Sequence, residues 1–296
     1  MSPAKFLCAL LLCLSLVPHA LAGQSCEARK IGADEFRKGL ELASSTAEYL
    51  DRSGAKVAVI ARVGKNLDSY GLKFSHMGFV YRDASALDGQ GAWRVAHKLN
   101  HCNTDQSSIY RQGLLEFFLD DLFRYEVGIV ILSPESQQAL LDGLKDNAFL
   151  ARMHQPRYNM VAYPWSTKYQ QSNQWLLETL AMAMDTEATS RENAQRWLQQ
   201  KNYRPSTLTI SLMSRLGARV GMANVAFDDH PMDRRTAGKI DTVTADSVFN
   251  WLTRSQLGEK LRVIRAGERQ PPAPPAKPLG KMLNTQSETP MRIKMA

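Results

Sequence analysis

Cysteine is scarce in this chain, with four in 296 residues, and two of those, Cys8 and Cys13, sit in an N-terminal apolar segment. Removal of that segment leaves Cys26 and Cys102, which admits one disulfide and no dense disulfide scaffold. No cysteine follows Ala22 directly, which excludes lipid attachment there. The apolar run Phe6–Val17 is too short to span a bilayer, so no transmembrane segment is expected after processing. A basic stripe interleaved with aromatics is also missing, which argues against a nucleic-acid surface. The formal charge of +8 overstates the body, because Lys5 contributes +1 and the segment from Gly267 to Ala296 contributes +3.

What is present begins with an export signal. Lys5, the apolar run and Ala20-Leu21-Ala22 predict residues 1–22 as a cleaved signal peptide and a periplasmic or secreted product. Residues 267–296 hold Gln270-Pro271-Pro272-Ala273-Pro274-Pro275, without apolar periodicity, and are expected to be a disordered, Pro-rich, basic tail. Between them, residues 23–266 are long enough for one domain with a sizeable core. The pattern predicts an α+β fold: an antiparallel sheet of about five strands packed with helices, and a helical C-terminal part. A helix is expected over Asp34–Leu50, with strands at Lys56–Val63, Leu72–Arg82, Ala92–Leu99, Gly128–Leu132 and Tyr158–Tyr163. Leu114–Phe123 is ambiguous. Further helices are expected from Pro134 to Asn147, from Ser172 onward, and over Glu192–Gln199, Pro205–Leu216 and Ala245–Leu252.

Two histidines fall on apolar strand faces. Alternation puts His76 with Phe74, Gly78 and Val80, and His97 with Trp93, Val95 and Leu99. The turn Asp88-Gly89-Gln90-Gly91 makes the two strands a hairpin. An imidazole in apolar company must be hydrogen-bonded, and two on adjacent strands define a candidate site. The competing reading is two satisfied core histidines. A second segment, Tyr163 to Glu178, runs from a polar loop into a helix whose buried stripe holds Trp175, Leu176, Thr179, Leu180 and Ala183. Ser172 opens that helix, either as a plain cap or as a nucleophile served by the positive helix end and a nearby base.

Ser75-His76-Met77-Gly78-Phe79-Val80-Tyr81, then Val95-Ala96-His97, then Ser172-Asn173-Gln174-Trp175 stand in an order that resembles circularly permuted papain-like proteins of the lecithin–retinol acyltransferase-like group. The body also resembles an uncharacterised proteobacterial family of exported proteins. The resemblance implies His76 as general base, His97 as its orienting partner and Ser172 where the group has Cys. It implies a hydrolase or acyltransferase acting on an amide or ester of a cell-envelope peptide or lipid, with no cofactor. The departure at Ser172 leaves open an inactive ligand-binding module of the same fold, because an alkoxide forms far less readily than a thiolate. Trp165, Gln171 and Asn173, together with Asp228, Asp229 and His230, are the candidate substrate-binding residues, the last three against a solvated turn before Pro231. His97, His101 and Cys102 offer a weaker zinc reading and Cys102 a weaker thiol reading, both competing with the disulfide to Cys26.

Overall fold

The computed structural model describes residues 30–83, 91–120 and 122–268. The expected signal peptide, Cys26, most of the expected Asp88–Gly91 turn and nearly all of the expected tail lie outside them. In chain order the elements are α1 (Ala33–Ser53), β1 (Val57–Val63), β2 (His76–Asp83), β3 (Ala92–Asn100), β4 (Ser107–Gly113), α2 (Leu114–Leu119), β5 (Arg124–Ile131), α3 (Pro134–Leu141) and α4 (Asn147–Arg152). Then follow α5 (Ser172–Met184), α6 (Arg191–Gln200), β6 (Ser206–Thr209), α7 (Leu212–Gly221), α8 (Met232–Thr236), β7 (Lys239–Thr242), α9 (Ala245–Arg254) and β8 (Arg262–Arg265).

The main sheet is antiparallel throughout and has six strands in the order β4-β3-β2-β1-β5-β8; β6 and β7 form a separate ribbon. The expected count of about five is corrected in its members as well as its number. β4 and β8 join the sheet, while Tyr158–Tyr163 forms no strand. There the Asn159 side chain accepts from Val161 N and its carbonyl from Ala162 N, so the chain turns on itself instead of extending. Two helix expectations also change. Ser206–Thr209 pairs as β6, and the helix starts only after Ser211, whose hydroxyl accepts from Ser214 N. The helix from Pro134 breaks near Asp142-Gly143 and restarts as α4, where Asp146 caps Ala148 N at 2.9 Å.

Both faces of the sheet are covered, and β1 is buried along its whole length. Alternation divides it. Val57, Val59 and Ala61 share one face with Met77, Phe79, Tyr81 and Ala96, beneath α3, α4, α5, α6 and α9. Ala58, Ile60, Val80, Trp93 and Val95 share the other, beneath α1 and α2. Eleven of the 13 residues of α5 are buried, so it is a central helix with no solvent side. Its Trp175 ring meets Phe79 edge-on at 6.1 Å between centroids. Truncating such an aromatic to Ala costs about 3–5 kcal/mol. Among the described residues no helix is long and apolar enough to cross a membrane.

Candidate functional site

His76 opens β2 beside Arg62 of β1, and His97 lies near the end of β3. Their side chains share the α1/α2 face, as alternation requires. His76 Nε2 lies 2.8 Å from His97 Nδ1, and His97 Nε2 lies 2.8 Å from Gln112 Oε1 of β4. Gln112 Nε2 donates to Glu116 Oε1 of α2 at 3.2 Å. Room for the His97 side chain comes from Gly78: a Cβ there would stand 3.0 Å from the His97 Cβ and 2.7 Å from Val95 Cγ1.

α2 roofs the pair. The Phe117 ring centroid is 6.0 Å from that of His76 and 5.3 Å from that of His97. Arg62 fastens this roof. It donates to Phe117 O at 2.5 Å, pairs with Asp120, and sets its guanidinium 4.8 Å from the Phe117 centroid. Burial, then the Arg62 cation, then His97 hold His76 well below the ordinary imidazole range. Burial and Arg62 push His97 down to about 3. Both rings are therefore neutral near pH 7.

Neutrality gives the chain of bonds a direction. A carboxylate only accepts, so Gln112 turns its amide NH2 to Glu116 and its carbonyl oxygen to His97. His97 then carries its one proton on Nε2 and accepts on Nδ1. His76 in turn donates from Nε2, which leaves its Nδ1 as a lone pair. His76 is partly exposed, and no hydrogen bond among the described residues occupies that nitrogen. The arrangement can accept a proton or a hydrogen bond at one oriented atom.

Ser172 lies elsewhere, and here the structure corrects the expected convergence. Lys98 follows His97 and faces the opposite side of the sheet, where α5 packs. Ser172 Oγ donates to the Lys98 backbone carbonyl at 2.7 Å and lies 3.4 Å from Tyr158 OH. By strand alternation the hydroxyl is on the α5 face and both imidazoles are on the other, no hydrogen bond among the described residues links them, and the loop before α5 bonds to the α5 side. The N-cap of α5 is Gln171, whose Oε1 accepts from Asn173 N at 3.3 Å.

The other candidates join the α5 face too. Gln171 Nε2 donates to Thr242 Oγ1 and Val243 O, and Asn173 Nδ2 to Val243 O, tying α5 to the end of β7. Trp165 packs edge-on to Tyr203 at 6.1 Å. Asp228 pairs with Lys168 at 2.8 Å. Asp229 accepts from Tyr163 N at 2.8 Å and contacts His230 Nδ1 at 2.9 Å, while His230 Nε2 donates to Asp241 O. Asp228 and Asp229 latch the 222–231 loop to the loop before α5 and His230 ties it to β7, a fastening role that supplies no group to His76. His101 is exposed and bonds Ser108 Oγ at 2.9 Å. No group of three His, Cys, Asp or Glu among the described residues is placed to hold a metal.

Sequence reading missed Arg62, Gln112, Glu116 and Phe117. Arg62, a cation inside the apolar run Val57–Val63, was the one available signal. It also missed a second buried polar cluster. Lys98 Nζ donates to Gln155 O and Gln170 Oε1, while Glu178 accepts from Gln170, Gln195 and the Nε–Nη2 edge of Arg191. In that cluster Glu178 pairs with Arg191, while Lys98 meets only neutral oxygens and is held well below the ordinary lysine range by burial and by the Arg191 cation.

The fold and site define an α+β protein with a directional imidazole relay under a helical roof. The chain belongs to a bacterial family described as uncharacterised protein conserved in bacteria (DUF2145), whose model matches residues 49–252. No match to the chain was found among curated proteins or among solved structures.

Proposed function

We propose that this is an exported protein of the cell envelope that holds a ligand at His76 and does not use Ser172 as a nucleophile. In this reading residues 1–22 are a signal peptide, 23–266 the working domain and 267–296 a basic tail. A permuted papain-like arrangement is part of the proposal: the order histidine strand, histidine strand, buried helix supports it, and the placement of Ser172 argues that the chemistry of that group is absent. The observation that carries the reading is the Ser172 hydroxyl, spent on the Lys98 carbonyl across the sheet from His76. A nucleophile needs its base within hydrogen-bond reach, directly or through one water.

One observation favours a second reading. The lone pair on His76 Nδ1, oriented through His97, Gln112 and Glu116, is what a general base toward water or a substrate hydroxyl requires. Soluble cell-wall muropeptides separate the two readings. The purified protein is titrated with them while His76 imidazole resonances are followed by NMR and products by mass spectrometry. Binding that shifts His76, is lost in His76→Phe and yields no product supports the module. Product formation that survives Ser172→Ala but not His76→Phe supports the base. Product formation that Ser172→Ala abolishes, or no perturbation of His76, overturns the proposal.

A further inference from the structure

α7 carries its apolar residues on the side a core helix would turn inward. Leu212, Leu216 and Val220 follow one another at four-residue steps with Met213 beside them, forming one stripe about 100° wide at 3.6 residues per turn. That stripe faces solvent: Leu212 is 63 % exposed, Met213 77 %, Leu216 51 % and Val220 91 %. No residue of α7 is buried, and its partly covered positions are Arg215 and Ala218. The helix is amphipathic, yet the fold uses none of its apolar face. Four large apolar side chains in one exposed stripe mark a surface that something covers.

Charge selects the occupant. The ionisable residues of α7 are Arg215 and Arg219, and Arg219, seven residues after Leu212, borders the stripe. The α7 of a second copy offers arginines and no carboxylate, so it brings only like charge to the stripe. The chain's own C-terminal segment, residues 269–296, carries five basic residues and one acidic, and is repelled in the same way. An anionic bilayer complements the helix on both counts: apolar side chains enter the boundary below the headgroups and the arginine stays at the phosphates.

We propose that α7 is a docking surface for an anionic lipid membrane, with Leu212, Met213, Leu216 and Val220 inserted and Arg219 at the headgroups. The geometry is that of a protein lying on a membrane, since one ten-residue helix cannot span it.

The test uses the purified, processed protein with vesicles of phosphatidylcholine alone and of phosphatidylcholine with roughly a third phosphatidylglycerol, the bound fraction being read by flotation. Binding is expected to the anionic vesicles and to weaken with salt. It should fall at least about tenfold in the Leu216→Glu/Val220→Glu double variant, whose basic tail is unchanged, and about five- to tenfold in Arg219→Glu. Both variants should keep the wild-type melting midpoint, because α7 buries no residue. Four outcomes overturn the proposal: no binding, equal binding to neutral vesicles, binding that the double variant leaves intact, or self-association in solution that the double variant dissolves.

Discussion

The Nε2 of His76 stands 2.8 Å from the Nδ1 of His97, and the two rings meet edge-on with centroids 5.1 Å apart. That contact decides which nitrogen of His76 is available. Because His97 is itself held by Gln112, the pair is oriented from the β4 side and presents one ring nitrogen that no hydrogen bond among the described residues occupies. The hydroxyl once expected to complete the constellation is bound across the sheet. What remains is an oriented acceptor under a helix that Arg62 pins in place.

Gly78 should be irreplaceable at modest cost elsewhere. Gly78→Ala drives a methyl against Val95 Cγ1, the Ala96 carbonyl and the His97 Cβ, all at 3.0 Å or less. A destabilisation of about 1–3 kcal/mol is expected from overpacking. Gly217→Ala, where nothing lies within 4 Å on an exposed helix, should instead stabilise by up to about 1 kcal/mol. Urea midpoints of the two variants check the contrast.

Acid should weaken the fold before carboxylates titrate. Both histidines are held below the ordinary imidazole value, His97 at about 3, so in acid the unfolded chain takes up protons that the native state refuses. The contribution of these two groups is therefore level above pH 7 and falls as pH drops below about 6.5, by up to about 1.4 kcal/mol per pH unit for each group that stays neutral. The urea midpoint should decline between pH 7 and pH 5, and the decline should flatten in a His76→Asn/His97→Gln double variant. A midpoint that rises on acidification would refute the assignment.

Ser172→Ala should act on stability and not on chemistry. It removes the donor to the Lys98 carbonyl, for a loss of about 1 kcal/mol. A serine-directed phosphonate should leave the wild-type protein unlabelled. Labelling that His76→Phe abolishes would show that the two residues work together after all.

The proposed pairing of Cys26 with Cys102 rests on their being the cysteines left once the proposed signal peptide is removed. Protein lacking residues 1–22 should be two hydrogens lighter than its reduced form by intact mass, and should lose about 4 kcal/mol of stability on reduction in the chain-entropy model. Alkylation of both thiols without reductant would exclude the bond.

Much of the histidine site was legible, because alternation in two strands close together in sequence is a local property. The faces of His76 and His97 followed directly from Phe74 to Val80 and from Trp93 to Leu99. The roof was not legible: Leu114–Phe123 reads equally as strand or helix until Arg62, more than 50 residues away, anchors Phe117 O. β4 escaped notice because Ser107, Ser108, Arg111 and Gln112 dilute its apolar alternation, and β8 because it is a four-residue edge strand. The side on which α5 packs was the consequential miss. A helix apolar around nearly its whole circumference has no stripe to choose a face, so the choice falls to long-range packing against Phe79 and Ala96. Motif order alone put Ser172 beside His76.

The most direct measurement is the tautomeric state of the two imidazoles, read from nitrogen-15 long-range proton correlations of the folded protein at pH 7. The relay requires both rings neutral with the proton on Nε2, and His76 Nδ1 bare, with Gln112→Leu loosening the tautomer of His97 first. Finding the His76 proton on Nδ1, or either ring doubly protonated at that pH, would contradict the account of the site.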